Sequence, residues 1–305
     1  MTPPAPTAMP TPAPGGLWRR LTRGRRVIHR AADWDAFAGP GWADRIMTES
    51  VTDRYHAKQG RSIGRWTLTA PGGRTLAVYL KRHHVLPRWR GLLAALFPRR
   101  AWSPGLAEWE HLEWARANGF PVPRAVAAGE LLGPWGKLQS FLAVEELTNA
   151  LPLHEAIPLA QRRLSPADFL RWKRGLVAEL AGLIQALHAH GAFHQDLYLC
   201  HIYIPDEDTR RVPEAWPGRA WMIDFHRLAF PWMLPPAARV KDLAQLLFST
   251  YGVPGITDRD RMRFWRFYEG RGRRVPYRVV LQRAIRLKAG RYAAHNAKTA
   301  GGGGG

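Results

Sequence analysis

The chain has a single cysteine, Cys200, among its 305 residues, which excludes an internal disulfide bond. This cysteine usage is typical of proteins from a reducing compartment. No apolar run approaches the roughly 20 residues that a membrane-spanning helix needs. Residues 1–16 are rich in Pro, Ala and Thr and lack the apolar core of a signal peptide. From the sequence we therefore expect a cytoplasmic protein.

Acidic residues are also scarce, with 24 Asp and Glu against 45 Lys and Arg and a formal net charge of +21. Such a surface attracts polyanions, which include nucleic acid, anionic lipid headgroups and phosphorylated glycolipids. A genome biased toward arginine codons would raise the charge as well. We find no zinc-ligand spacing, RNA-binding aromatic signature or helix-turn-helix pattern, so nucleic acid is not the expected partner.

Hydrophobic patterning predicts an α+β protein with two lobes. Alternating β-formers over Arg65–Ala70 and Thr75–Lys81 predict a strand hairpin. The helical spacing of Leu176, Leu180 and Ile184 predicts a long helix after the Ser165 cap. We expect a small antiparallel β-rich lobe and a larger helical lobe. The expected divisions are a disordered segment 1–33, lobes 34–147 and 148–290, and a flexible tail 291–305.

Two aspartates carry the strongest functional signal. Asp196 lies in the run His194-Gln195-Asp196-Leu197, and Asp224 follows the apolar Met222-Ile223. This pairing is the layout of phosphotransferases of the protein-kinase type. There the first Asp accepts the proton of the attacking hydroxyl, and the second holds Mg²⁺ against the nucleotide phosphates. The pair therefore predicts transfer of the γ-phosphoryl group of ATP, with His194 placing Asp196. Together with the two expected lobes, it predicts a bilobal fold that resembles that of protein kinases.

A lysine at the end of a predicted strand completes the nucleotide site. Lys81 would pair with the α/β-phosphates, and Glu108 on the next predicted helix would hold it in place. Glu110 lies about 200° round that helix from Glu108, so only one of the two faces inward. A lysine at a strand end is usually an ordinary surface residue. The two aspartate motifs that follow Lys81 in the chain are what favour a functional role for it.

Weaker predictions concern two further nucleotide contacts. Gly60, Arg61 and Ser62 lie in a glycine-containing turn whose backbone N–H groups could meet phosphate oxygens. Two glycines four residues apart, as Gly60 and Gly64 are, are also common in ordinary hairpins. Glu145 and Leu147 form the exit from a predicted strand into the linker between the lobes, where we place the remaining nucleotide contacts.

Two residues keep alternative interpretations open. His201 stands where kinases usually carry the Asn of the second metal position, and imidazole is a poor ligand for Mg²⁺. His201 would contact a phosphate, orient Asp196, or be a buried loop histidine bonded to backbone. Asp242 would either accept hydrogen bonds from the backbone of the catalytic loop or simply cap a helix. His226 replaces a glycine of the usual motif, so that loop is expected to be less flexible.

The chain resembles the lipopolysaccharide core kinases, the Kdo/WaaP family, over about Thr52–Tyr251. The likeness rests on five blocks, of which His194-Gln195-Asp196-Leu197-Tyr198-Leu199-Cys200-His201 is the most specific. The others are Leu80-Lys81-Arg82, Glu108-Trp109-Glu110 with the later Gly119-Phe120-Pro121-Val122-Pro123, Ile223-Asp224-Phe225-His226-Arg227, and Lys241-Asp242-Leu243. The family shares a histidine at the position of His201, so this residue does not indicate an inactive enzyme.

The resemblance implies an enzyme that uses ATP and Mg²⁺ to phosphorylate a heptose or Kdo hydroxyl of the lipopolysaccharide inner core. It also implies action at the cytoplasmic face of the inner membrane, with an anionic lipid surface as a partner. Two alternatives stay open: a kinase acting on protein or on another small-molecule hydroxyl, and a pseudokinase that binds nucleotide without turnover. Retention of Lys81, Asp196 and Asp224 together argues against the pseudokinase.

Two segments mix arginine with tryptophan or leucine, namely Trp18–Arg30 and Pro87–Arg100. That mixture is typical of segments that lie in a membrane interface. For Pro87–Arg100 the alternative is a packed linker helix between the strand of Lys81 and the helix of Glu108.

Overall fold

A computed structural model describes the backbone of Thr7–Ala8 and residues 16–50, 60–270 and 278–301. The chain divides into two compact units. The first unit comprises Met1–Ala117 and Pro123–Leu147, and the second comprises Asn118–Val122 and Thr148–Gly305. The first is rich in strands and the second in helices, which confirms the predicted α+β class.

The first unit is organised around a six-stranded antiparallel sheet with the strand order β1-β2-β5-β6-β4-β3. The central strands β5 and β6 are buried on both faces, which their apolar sequences favour. The strands are β1 (Thr7–Ala8), β2 (Arg25–Arg30), β3 (Arg61–Thr69), β4 (Thr75–His83), β5 (Ala125–Leu132) and β6 (Leu138–Glu145). The predicted hairpin is confirmed as β3 and β4, joined by a turn in which Gly72 and Gly73 have positive φ.

Helices cover this sheet and supply its core. A buried cluster joins Trp34, Trp42 and Ile46 to Leu80 and Phe141 of the sheet. The helices of the unit are α1 (Leu17–Arg23), α2 (Trp34–Ala38), α3 (Trp42–Arg45), α4 (Arg88–Leu96) and α5 (Pro104–Ala117). Because β4 carries Lys81 and α5 carries Glu108, the packing of α5 on the sheet is what sets the geometry of that pair.

In its described residues, the second unit combines five α-helices with a small antiparallel sheet of order β7-β8-β9. Ser165 caps the longest helix by accepting a hydrogen bond from the N–H of Asp168 at 3.1 Å. The elements are β7 (Ala150–Pro152), β8 (Ile202–Pro205), β9 (Trp221–Met222), α6 (Leu153–Arg163), α7 (Pro166–Ala189), α8 (Pro235–Ser249), α9 (Asp258–Glu269) and α10 (Arg278–Gly301). Over the described ranges, none of the helices is long and apolar enough to cross a membrane.

Both ends of the described chain have more regular structure than composition predicted. The segment 1–33 was expected to be disordered, yet α1 and β2 lie within it. Likewise α10 extends to Gly301, although a flexible tail was expected from residue 291. Residues 1–6, 9–15 and 302–305 of these two predictions fall outside the described residues, as do Lys58 and Gln59, with which the predicted turn of Gly60 begins.

Candidate active site

Lys81 of β4 forms an ion pair with a buried glutamate of α5. Its Nζ donates to Glu108 Oε1 at 2.7 Å, and 14% of the Lys81 side chain and 4% of the Glu108 side chain are exposed. Glu110 lies two residues further along the helix and is exposed. Of the two glutamates, Glu108 is therefore the one that faces inward, and it fixes the direction of the lysine side chain.

The predicted phosphate-binding turn at Gly60–Gly64 is largely a strand. β3 begins at Arg61, and Gly60 alone has a left-handed backbone, with φ of 69°. Ser62 is 1% exposed, and its hydroxyl accepts a hydrogen bond from Arg82 Nε at 3.1 Å. The structure therefore does not support a phosphate contact by the Ser62 hydroxyl, because that group is buried and bonded inside the first unit.

Glu145 and Leu147 lie where the chain leaves the first unit. Glu145 ends β6, and Leu147 is the last residue before the chain enters the second unit at Thr148. Arg124 Nε donates to the Glu145 carboxylate at 2.9 Å. Since this side chain is held by an ion pair, a nucleotide contact at this position would use backbone atoms.

In the second unit, Asp242 of α8 holds the loop of Asp196 by its backbone. Its Oδ2 accepts from the N–H of His194 and its Oδ1 from the N–H of Gln195, both at 2.7 Å. Asp242 is fully buried, and it lies well inside a helix that begins at Pro235. The alternative interpretation of Asp242 as a helix cap is therefore wrong. The two bonds fix the loop immediately before Asp196.

His194 connects the two aspartate loops. Its buried ring donates from Nε2 to the carbonyl oxygen of Ile223 at 2.9 Å. Ile223 directly precedes Asp224, so this bond ties the first loop to the strand end that carries the second aspartate. Burial lowers the pKa of His194 and outweighs the opposing charge of Asp242. The ring is therefore neutral in its bridging position.

Asp196, His201 and Asp224 form one cluster. One potential ligand atom from each lies within 4.8 Å of those of the other two. His201 Nδ1 donates to the backbone oxygen of Asp196 at 2.7 Å and lies 3.9 Å from its Oδ2. On the other side of the ring, Nε2 lies 3.9 Å from Asp224 Oδ2. The imidazole thus stands between the two carboxylates.

Interactions within this cluster favour the protonated form of His201. Burial opposes the charge, but interactions with the Cys200 side chain, the Asp196 carbonyl and the Asp224 carboxylate raise the pKa of His201 to about 9. A protonated imidazole offers no lone pair to a metal ion. This favours the hypotheses that His201 orients Asp196 or contacts a phosphate, and it argues against a metal ligand.

The two carboxylates fit a Mg²⁺ ion by their chemistry, since Mg²⁺ prefers oxygen ligands. Asp224 has a left-handed backbone with φ of 65°, and its Oδ1 accepts from His226 Nδ1 at 2.9 Å. The side chains of Asp196 and Asp224 are 19% and 23% exposed, so solvent reaches both. Both groups are thus positioned by the fold and accessible to a ligand.

The predicted site residues did not include two basic residues of the Asp224 loop. His226 orients Asp224, and Arg227 Nη1 lies 3.8 Å from Asp196 Oδ1. The signal was present in the block Ile223–Arg227, but the sequence alone does not show that the loop turns back toward Asp196.

A separate apolar cavity lies within the second unit among α7, α8, α9 and α10. Its volume is about 810 Å³, and leucine, isoleucine and aromatic side chains make up most of its lining. The lining includes Leu176, Leu246, Phe264, Trp265 and Ile285. This cavity could not be predicted from the sequence, because it results from the packing of four separate helices.

The comparison with known families decides the membership of this chain. The lipopolysaccharide kinase (Kdo/WaaP) family model matches residues 72–268, well over half of the chain. The chain belongs to this family. The match includes Lys81, Glu108, Asp196, His201 and Asp224, and it confirms the family resemblance predicted from the sequence.

Individual members of the Kdo/WaaP family give the same result. The chain is 33% identical over 175 residues to the lipopolysaccharide core heptose(I) kinase WaaP of Pseudomonas aeruginosa. It is 31% identical over 175 residues to the enzyme of that name from Escherichia coli strain K12. Each alignment covers 57% of this chain, and they cover 61% and 62% of the two relatives. The matched region thus spans less than two thirds of either relative.

A solved structure of WaaP in complex with acyl carrier protein is also similar to this chain. The two share 25% sequence identity and a TM-score of 0.59, with 90% of this chain and 97% of the other covered. The likeness agrees with a kinase-like fold built from two units.

Proposed function

We propose that this Kdo/WaaP-family protein is a kinase that transfers the γ-phosphoryl group of ATP to a sugar hydroxyl of the lipopolysaccharide inner core. The observation that carries the proposal is the cluster of Asp196, His201 and Asp224 in a chain of this family. Heptose is favoured over Kdo as the acceptor, since both relatives described above are named core heptose(I) kinases.

Within this proposal Asp196 accepts the proton of the attacking hydroxyl. Its backbone is held through Asp242, and the positive charges of His201 and Arg227 lie within 4 Å of its carboxylate. A carboxylate oxygen held in this way accepts a hydrogen bond from a hydroxyl and orients it. After transfer, the proton would reside on Asp196 until solvent removes it.

We propose nucleotide-binding roles for the residues that the motifs single out. We assign phosphate binding to Lys81, which Glu108 holds in place, with backbone contributions near Gly60 and Arg61. We assign a bound Mg²⁺ ion to Asp224, whose carboxylate His226 orients. When bound, the ion would neutralise phosphate charge during transfer.

Radiolabelled phosphate transfer tests the proposal. The chain is incubated with labelled ATP and Mg²⁺, and either purified lipopolysaccharide or a generic protein serves as the acceptor. The proposal expects label on the lipopolysaccharide. Label only on protein would favour the protein-kinase alternative, and nucleotide binding without any transfer would favour the pseudokinase.

A membrane surface is a proposed partner, because the acceptor is lipid-linked. The two arginine-rich segments lie side by side within the first unit: Arg20 Nε of α1 donates to the Ala95 oxygen of α4 at 2.7 Å. On α4, Ala94 and Ala95 pack inward, whereas 55% of Trp89 is exposed. Trp18 is 69% exposed. The inner face of α4 thus packs within the first unit, as a linker helix would. Its outer face retains the mixture of arginine with tryptophan or leucine that an anionic lipid surface would bind.

An acyl carrier protein is a second proposed partner, by analogy with the WaaP complex. The apolar cavity of the second unit has the lining and the size of a site for an alkyl chain. Gel filtration with acylated and unacylated carrier protein tests this assignment. Equal binding of the two forms would contradict a role for the cavity.

A further inference from the structure

A run of exposed apolar side chains follows the Asp224 loop. Isolated exposed apolar residues are normal, but a contiguous group marks an interaction surface. Trp232 is 87% exposed, so nearly the whole indole projects from the protein surface. The group, which we name the apolar tip, consists of Phe230 (47% exposed), Trp232 (87%), Met233 (70%) and Leu234 (66%).

The base of the apolar tip is fixed to the catalytic loop. Phe193 and Ala229 exchange two backbone hydrogen bonds, both at 2.9 Å. Phe193 directly precedes His194, and Ala229 directly precedes the tip. On the other side, Pro235 begins α8, the helix that carries Asp242. The tip is thus anchored on both sides to elements that position Asp196.

The sequence around the apolar tip is basic. The stretch from residue 225 to residue 241 contains no aspartate or glutamate, and its ionisable residues are His226, Arg227, Arg239 and Lys241. The Arg227 side chain is 56% exposed and lies 3.8 Å from Asp196. Tryptophan prefers the boundary between lipid headgroups and acyl chains, and basic side chains favour anionic headgroups.

We propose that the apolar tip enters the boundary of an anionic lipid bilayer and thereby presents membrane-embedded acceptors to Asp196. A projecting group of four side chains suits a bilayer better than a protein partner, since a stable protein interface buries about 800 Å² on each side. The nature of the acceptor rests on the proposed function, whereas the lipid contact itself does not.

Lipid contact is measured by fluorescence quenching with vesicles of phosphatidylglycerol that carry brominated acyl chains. The chain has 14 tryptophans, so the signal of Trp232 is the difference between wild type and Trp232→Phe. We expect quenching of that difference signal, and Trp232→Phe should still bind because it keeps an aromatic ring. The triple variant Trp232→Ser, Met233→Ser, Leu234→Ser should bind vesicles at least about tenfold more weakly.

The matched control is Leu170→Ser, which removes a side chain of α7 that is 50% exposed outside the apolar tip. It should bind vesicles as wild type does. An unquenched Trp232 signal, or equal vesicle affinity of the triple variant and wild type, would overturn the proposal. If the triple variant lost binding to an acyl carrier protein but still bound vesicles, that result would also overturn the proposal, in favour of a protein partner.

Turnover measurements provide an independent test of the apolar tip. With acceptor embedded in vesicles, kcat/KM of the triple variant should fall at least about tenfold. With water-soluble, delipidated core oligosaccharide it should equal that of wild type. Equal losses on both acceptors would mean that the tip shapes the catalytic loop instead. If wild type phosphorylates neither acceptor, the proposed function fails, while the quenching experiment still decides the lipid contact.

Discussion

Asp242 holds Gln195 in a left-handed backbone conformation: Oδ1 accepts the N–H of Gln195 at 2.7 Å, and Gln195 has φ of 63°. Such a conformation costs a non-glycine residue roughly 1 to 3 kcal/mol, so it persists only when its surroundings enforce it. Both the carboxylate and the loop belong to the second unit. The position of Asp196 thus depends on a buried residue more than forty positions away in sequence.

Asp242→Asn should therefore lower kcat more than it changes nucleotide affinity. The asparagine side chain has one acceptor oxygen, whereas the backbone N–H groups of His194 and Gln195 each bond to a separate oxygen of Asp242. A buried donor left unpaired costs about 1 to 3 kcal/mol. Steady-state kinetics and denaturant unfolding measure the two effects. Asp258→Asn, at a side chain that is 93% exposed, is the control and should change neither. Unchanged kcat in Asp242→Asn would contradict the positioning role.

Asp224→Ala and Lys81→Ala should separate metal binding from phosphate binding. Asp224→Ala should remove most Mg²⁺-dependent nucleotide affinity, and Lys81→Ala should weaken nucleotide binding without changing the affinity for Mg²⁺. Calorimetric titrations with Mg²⁺ and with Mg-ATP distinguish these effects. Equal behaviour of the two variants would contradict the assigned roles.

Lys81→Ala also leaves the Glu108 charge buried without its partner, which costs about 3 to 5 kcal/mol of stability. The double variant Lys81→Ala, Glu108→Gln removes that charge and should recover stability but not nucleotide affinity. It therefore serves as the folding control for the titrations.

The arginines near α4 should contribute to vesicle binding. Each basic residue near an anionic surface contributes about 1 kcal/mol. Replacing Arg88, Arg90, Arg99 and Arg100 by glutamine should therefore lower affinity by about two to three decades, at roughly 1.4 kcal/mol per decade. Co-sedimentation at low and high salt measures this, with Arg162 and Arg174 of the second unit replaced as the control. If neither salt nor the four substitutions changes vesicle binding, α4 is only a packed linker helix.

Stability should fall in mild acid because of His188. Burial lowers the pKa of this histidine below its ordinary 6.5, and the neutral ring bridges Tyr268 and Asp242. The unfolded chain takes up a proton near pH 6.5 that the folded chain does not, so this contribution to stability is present above that pH and is lost below it. Between about pH 8 and about pH 5.5, His188→Gln should lose less thermal stability than wild type. An equal loss in both proteins would contradict this.

Local patterns predicted several elements well. The Ser165 cap and the β3–β4 hairpin follow from short-range turn and capping chemistry. Other elements depend on tertiary contacts. α6 contains Pro158, which argues against a helix when the sequence is taken alone. β5 contains Gly129 although glycine disfavours strands. A Cβ at this position would lie 2.4 Å from the Phe141 ring, so the packing of that ring requires a glycine.

The candidate site likewise combines residues that local motifs predict with features that depend on tertiary contacts. The motifs alone single out Lys81, Asp196 and Asp224 as candidates, because the spacing of each motif is local to one loop or strand. The raised pKa of His201 and the buried Ser62 hydroxyl were not predictable, since both result from residues that the fold brings together. The apolar tip was overlooked because its composition does not reveal its exposure.

The most direct test of the central claim is mass spectrometry of core oligosaccharide after incubation with ATP and Mg²⁺. The acceptor is lipopolysaccharide whose inner core lacks phosphate. We expect wild type to add one phosphoryl group to a core heptose, and Asp196→Asn to transfer it on the order of 10² to 10⁴ times more slowly while still binding nucleotide. An unmodified core with wild type, or near-normal transfer by Asp196→Asn, would contradict the account.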